Sequence, residues 1–245
     1  MSEPKPGRRR LQKALVILAA AAALLAAVFL HYTADSYRAD DTARAFAAAE
    51  PTLLRRGALT VLPAEGARTA LIFYPGAKVE ADAYLPLLAQ IRSRCGITCI
   101  LVRMPFRLAV LDAGAAGRIL DDAAQQFPEI ETWLIGGHSM GGAMAADYAG
   151  RHPQQVAGLL LFGAYRYGSY PLARTLTVYG SLNTTVAARV DYTQNVVVIA
   201  GGNHAQFGNY GPQRGDAAAQ ISAADQQRQA ADAAAAFLHS LGQAA

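Results

Sequence analysis

Charge is scarce in this chain. Asp, Glu, Lys and Arg make up 16% of its 245 residues, and there are only two cysteines. Cys95 and Cys99, in SRCGITCIL, have no third cysteine or nearby histidine to complete a tetrahedral set, which argues against a metal site. In an oxidising compartment the pair would staple the chain across the Gly96 turn as a disulfide. The alternative is two separate thiols, with Cys99 buried in a strand. An excess of positive charge is also missing beyond the N-terminus. MSEPKPGRRRLQK (1–13) sets five basic residues against Glu3, a net +4 that equals the net charge of the whole chain. Residues 14–245 therefore balance, and nothing in them points to a nucleic-acid partner. No internal repeat and no low-complexity linker interrupts them.

Apolar residues, by contrast, are plentiful: 53% hydrophobic content over 245 residues provides for one large domain with an ample core. ALVILAAAAALLAAVFL, from Ala14 to Leu30, is uncharged, and His31 and Tyr32 lie at its outer edge. The run predicts a single-pass transmembrane signal anchor over 14–32. The basic tail 1–13 places the N-terminus in the cytoplasm, hence the remaining domain on the far side of the cell membrane. A cleaved signal is the alternative, but a cut after Ala34 puts Tyr32 where a small residue belongs. Residues 33–55 read as a juxtamembrane linker or helix, and 56–245 as the folded domain.

Within that domain, strands are expected near 58–63, 69–74, 98–103, 132–136, 158–163, 175–180 and 195–200, and helices near 81–94, 113–127, 141–151 and 222–241. Runs such as LIFY, LLLF and VVVI are continuously apolar rather than alternating, which is the pattern of strands buried on both faces. Alternation of strand and helix predicts an α/β three-layer sandwich. Its sheet would be mostly parallel, of about seven strands, with helices on both faces.

One stretch carries chemistry. In WLIGGHSMGGAMAADYAG (133–150) four glycines crowd a serine between an apolar strand and an Ala-rich helix. Gly137-His138-Ser139-Met140-Gly141 fits G-x-S-x-G, the nucleophile elbow. A serine that attacks a carbonyl must project from the carboxyl edge of the sheet, which forces a strained turn. Side chains at Gly137 and Gly141 would collide with the neighbouring strand and helix. The helix after Ser139 aims its first amides at the developing oxyanion, and the Met140 amide is the natural donor.

FYPGAKVEADAYLPLLAQI (73–91), LVRMPFRLAVLD (101–112), IGGHSMGGAMAADYAGRHP (135–153) and GGNHAQFGNYGPQRGD (201–216) together resemble the α/β-hydrolase superfamily. Within it the chain is similar to small, lidless, carboxylesterase-like bacterial serine hydrolases that are membrane-associated or secreted. The resemblance implies that His204, in the loop after the last strand, is the base, in preference to His138, His152 or His239. It implies a second oxyanion donor in the loop after 69–74, with Ala77 preferred over Lys78. It also implies an Asp about three residues beyond Tyr179-Gly180, where this chain has Asn183. An amide orients the imidazole but supplies no charge. Asp191, eight residues on, is the other candidate, and the choice between them stays open at this point.

The 164–175 link is too short for a helical lid, so an open site for a small ester is expected. Tyr165, Tyr167, Tyr170 and Phe207 either wall its pocket or are ordinary half-buried aromatics. The reaction expected is ester or thioester hydrolysis through an acyl-enzyme on Ser139, without cofactor or metal. An acyltransferase on the same scaffold and a catalytically impaired binding protein are the competing expectations. The sequence leaves the oligomeric state open.

Overall fold

The computed structural model describes residues 6–242, and the chain divides into two compact units after Ser36. The first contains helix α1 (Pro6–Ala34). Its Gln12–Ala34 portion, 23 residues, is long and apolar enough to cross a membrane, and equally suits a signal sequence.

The second unit begins with α2 (Asp41–Ala49), capped by Asp40, whose carboxylate accepts the Ala43 amide at 3.0 Å. The helix packs against α3 (Leu85–Cys95), and Glu50 just beyond it takes a 2.9 Å bond from Arg92. Part of the segment read as linker or helix is thus a helix integral to this unit. The same segment contains a short edge strand, β1 (Leu54–Arg56), with all three residues exposed. Exposed, three residues long and with two arginines, β1 gives no periodic signal, and with it the sheet has eight strands rather than about seven.

The rest follow as β2 (Leu59–Leu62), β3 (Thr69–Tyr74), β4 (Thr98–Val102), β5 (Thr132–His138), β6 (Gly158–Phe162), β7 (Thr175–Gly180) and β8 (Val196–Ile199). Their order across the sheet is β1-β2-β4-β3-β5-β6-β7-β8. β1 and β2 pair antiparallel, as do β2 and β4; every other neighbouring pair is parallel. Side-chain alternation splits the core in two. Leu71 and Phe73 of β3 join Leu160, Phe162 and residues of α3 and the last helix, α8 (Ala223–Ser240), on one face. Ala70, Ile72 and Tyr74 join Leu159, Leu161 and the helix after β5 on the other. Burial on both faces holds for β3, β4 and β6 but not for the VVVI run of β8, an edge strand on which Val198 is 49% exposed.

Between these strands lie α4 (Ala115–Asp121) and α5 (Ala123–Gln126), which divide the 113–127 stretch. They are followed by α6 (Met140–Arg151) and the one-turn α7 (Thr184–Ala187). The expected staple is not present: Cys95 and Cys99 are free and buried. Cys95 ends α3 on its core-facing side, while Cys99 sits inside β4 with its thiol 3.5 Å from the Leu88 carbonyl.

Candidate active site

β5 runs straight into α6 with a single residue, Ser139, between them. Its backbone (φ 54°, ψ −123°) is a conformation that non-glycine residues avoid, held here by the 3.1 Å bond from its amide to the Phe162 carbonyl. The glycines around it are sterically required. A Cβ on Gly141 would come within 2.2 Å of the Tyr74 carbonyl oxygen, and one on Gly137 within 2.6 Å of it. The turn is therefore pressed against the end of β3, which pairs in register with β5 through Tyr74 and Gly137.

That contact brings the loop after β3 to the elbow. Gly76 N–H donates to the Tyr84 hydroxyl at 3.1 Å, and Lys78 N–H to the Arg107 carbonyl at 2.8 Å. With both neighbours committed, the Ala77 amide lies between them, and the Met140 amide opens α6 across the turn.

His204 lies in the loop after β8, and its Nε2 is 3.0 Å from Ser139 Oγ. The loop is tightly held. Asn203 and Gln226 exchange two bonds, amide to Oε1 at 2.9 Å and Nε2 to carbonyl at 2.8 Å. Asp216 accepts the backbone amides of His204 (3.2 Å) and Ala205 (2.8 Å). Burial lowers the His204 pKa below its ordinary value, against the opposing pull of the Asp216 charge.

The other histidines lie elsewhere. His138 points away from its neighbour Ser139 into the core, where its Nε2 meets the His204 carbonyl at 2.9 Å and its Nδ1 the Tyr84 hydroxyl at 2.8 Å. Full burial pushes its pKa well down, which makes it a neutral strut that links the loop after β3, through Tyr84, to the His204 loop. His152 stacks on Tyr148, and His239 is exposed near the end of α8.

At the acid position, Asn183 Nδ2 is 2.8 Å from His204 Nδ1. Asn183 also caps α7, its Oδ1 accepting the Val186 amide at 3.3 Å. Asp191 is not brought to the histidine: it falls on the exposed stretch between α7 and β8, whereas Asn183 sits at the carboxyl end of β7 beside the His204 loop. No sequence motif marks Asp216 as a site residue. It lies on an irregular loop, and its signal was only its place at the end of the GGNHAQFGNYGPQRGD segment.

These groups line a cleft of about 490 Å³ that includes Ser139, Met140, Tyr165, Asn183, His204 and Arg214. Of the four aromatics considered as walls, only Tyr165 is in it. Tyr170 and Phe207 are fully buried core residues, and Tyr167 is 55% exposed.

A profile described as "Alpha/beta hydrolase family" matches residues 70–228, and the chain belongs to that family. Among curated proteins, a putative non-heme haloperoxidase of Mycobacterium phage D29 is 30% identical over 113 residues. The match covers 40% of this chain and 37% of that protein, so the chain spans little more than a third of that relative's length. Among solved structures, dienelactone hydrolase from Anabaena variabilis is 14% identical with a TM-score of 0.50, the match covering 74% of this chain and 90% of that one. TT1662 from Thermus thermophilus is 14% identical with a TM-score of 0.51, covering 79% and 98%. Both share the fold.

Proposed function

We propose that this member of the alpha/beta hydrolase family is a serine hydrolase that cleaves a carboxylic ester or thioester through an acyl-enzyme on Ser139. The observation that carries the reading is the 3.0 Å approach of His204 Nε2 to a serine held in a strained elbow. Ser139 Oγ attacks the carbonyl carbon as its proton passes to His204 Nε2, and the Ala77 and Met140 amides receive the oxyanion. Collapse expels the alcohol or thiol, which takes that proton. Water then repeats the sequence to free the acid. The open cleft favours a small, solvent-borne ester, and α1 serves as a signal anchor that holds the domain outside the cytoplasm. Protection of a C-terminal reporter from protease in intact spheroplasts would refute that topology.

A second reading has one specific observation in its favour. With Oδ1 engaged by Val186, Asn183 turns a donor toward His204 Nδ1, so the imidazole proton sits on Nε2, facing the serine it should deprotonate. That tautomer suits a slow enzyme, or a binding protein that kept the fold. Fluorophosphonate labelling of the full chain in detergent separates the two. An adduct on Ser139 that is lost in His204→Ala supports the hydrolase; a folded, unlabelled protein supports binding.

A further inference from the structure

The orientation of Asn183 leaves a gap in the chemistry. When Nε2 accepts the serine proton, the ring becomes a cation inside a largely buried site. Asn183 offers that cation no negative charge, and in its observed orientation its Nδ2–H faces a second N–H on Nδ1. A triad acid both aims the ring and stabilises the imidazolium; Asn183 performs only the first task.

Resting on the serine hydrolase reading, we propose that the two duties of the triad acid are divided, Asn183 aiming the imidazole of His204 and Asp216 supplying the charge that stabilises its protonated form. Both Asp216 oxygens are fixed, one on the His204 amide at 3.2 Å and one on the Ala205 amide at 2.8 Å. The carboxylate is thereby locked to the residue whose ring must carry positive charge. It lines the same cleft as Ser139, Asn183 and His204.

The other groups facing the ring do not substitute for it. His138, with ring centroids 4.6 Å apart, is held neutral by burial. Tyr84 and Tyr210, packed on the far side of His138, have their hydroxyls pushed up by burial and also stay neutral. Arg214 lines the cleft but carries the wrong sign, and Asp191 is exposed with no bond to His204. The Asp216 charge raises the proton affinity of His204 against the effect of burial. Asp216 thus acts through space on a ring it does not hydrogen-bond, as a positioning and charge-supplying residue.

The test is a double-mutant cycle on the full chain in detergent, with p-nitrophenyl acetate as probe. Asp216→Asn should lower kcat/KM by up to about tenfold and move the acid limb of the pH profile to lower pH, because the carboxylate favours the protonated ring. In an Asn183→Asp background, where a carboxylate already faces Nδ1, the same change should cost less than about threefold. Equal losses in both backgrounds with an unmoved acid limb would overturn the proposal and reduce Asp216 to a clamp on the loop. If Asp216→Asn does not fold, Asp216→Glu decides: an acid limb kept in place supports a charge role, and one that drops refutes it. Absence of fluorophosphonate labelling at Ser139 in both wild type and Asn183→Asp would remove the hydrolase reading, and the proposal with it. Labelling with additive losses removes the proposal alone.

Discussion

Asn183 and His204 are joined by a 2.8 Å bond whose direction is set by a third group, the Val186 amide. That amide can only donate, so the oxygen of Asn183 must face it and the nitrogen must face His204. Nδ1 is then an acceptor, and the ring proton belongs to Nε2. Turning the Asn183 amide restores the productive tautomer but sets an N–H against the Val186 N–H. An unsatisfied buried donor costs about 1–3 kcal/mol, which corresponds to roughly a five- to 150-fold loss of active molecules.

Asn183→Asp removes the conflict, because one carboxylate oxygen caps α7 while the other accepts from Nδ1–H. Replacing a triad Asp by Asn costs about 10⁴ in turnover where the wrong tautomer results. Here Asp216 already contributes charge, so the gain should be smaller. We expect kcat/KM for p-nitrophenyl acetate to rise about 10²-fold with little change in KM. Unchanged or reduced activity in a folded Asn183→Asp protein would show that tautomer selection is not what limits the site.

Two histidines are held with lowered pKa values, His138 by burial and then by His204, and His204 by burial. Above about pH 6.5, the ordinary histidine value, both folded and unfolded states hold them neutral and stability is unaffected by their titration. Below it the unfolded chain takes up protons that the folded chain refuses, so stability falls as pH falls toward the folded-state values. The melting temperature should therefore decline from pH 7 to pH 5, and His138→Gln should flatten that decline even though it lowers stability at pH 7. A catalytic acid limb with its midpoint below about pH 6.5 should accompany it, since His204 must be neutral to act as base.

Much of this was legible in the sequence. Continuous apolar runs gave the central parallel strands because those strands are buried on both faces, and the glycines around Ser139 announced a turn too crowded for side chains. The edges were not legible. β1 is too short and exposed to leave a pattern, and the apolar run of β8 reads as central although it lies at the margin. The site was legible where one local motif carries it, and illegible where loops meet. Asp216 reaches the amides of His204 and Ala205 across an irregular stretch with no periodicity, and nothing in the order of residues distinguishes Asp216 from Asp191 as a neighbour of the histidine. The strut formed by His138 and Tyr84 was equally hidden, because the two are separated by 54 positions and meet only through the fold.

Tyr84→Phe tests that strut. The hydroxyl takes the Gly76 amide at 3.1 Å and bonds His138 Nδ1 at 2.8 Å, so its loss leaves two buried polar groups unpaired. The change should cost about 1–3 kcal/mol, read as a lower midpoint in urea. It should also lower kcat more than it raises KM, because the freed Gly76 adjoins Ala77, the amide assigned to the oxyanion. Wild-type kcat in a destabilised Tyr84→Phe protein would confine the strut to stability.

The cysteines offer a check on both chemistry and fold. Burial raises the Cys95 thiol to about 11, and that of Cys99, wholly inside the sheet, higher still. The nucleophile in alkylation is the thiolate, so each thiol is protected twice over, by a raised pKa and by lack of access. Iodoacetamide at pH 8 should leave the folded protein unmodified for hours, and in denaturant without reductant it should add two groups per chain. The second condition decides between free thiols and a staple across Gly96. A chain that takes up no label in denaturant until it is reduced carries the disulfide, and the packing of Cys95 at the end of α3 against Cys99 in β4 would then have to differ from that described.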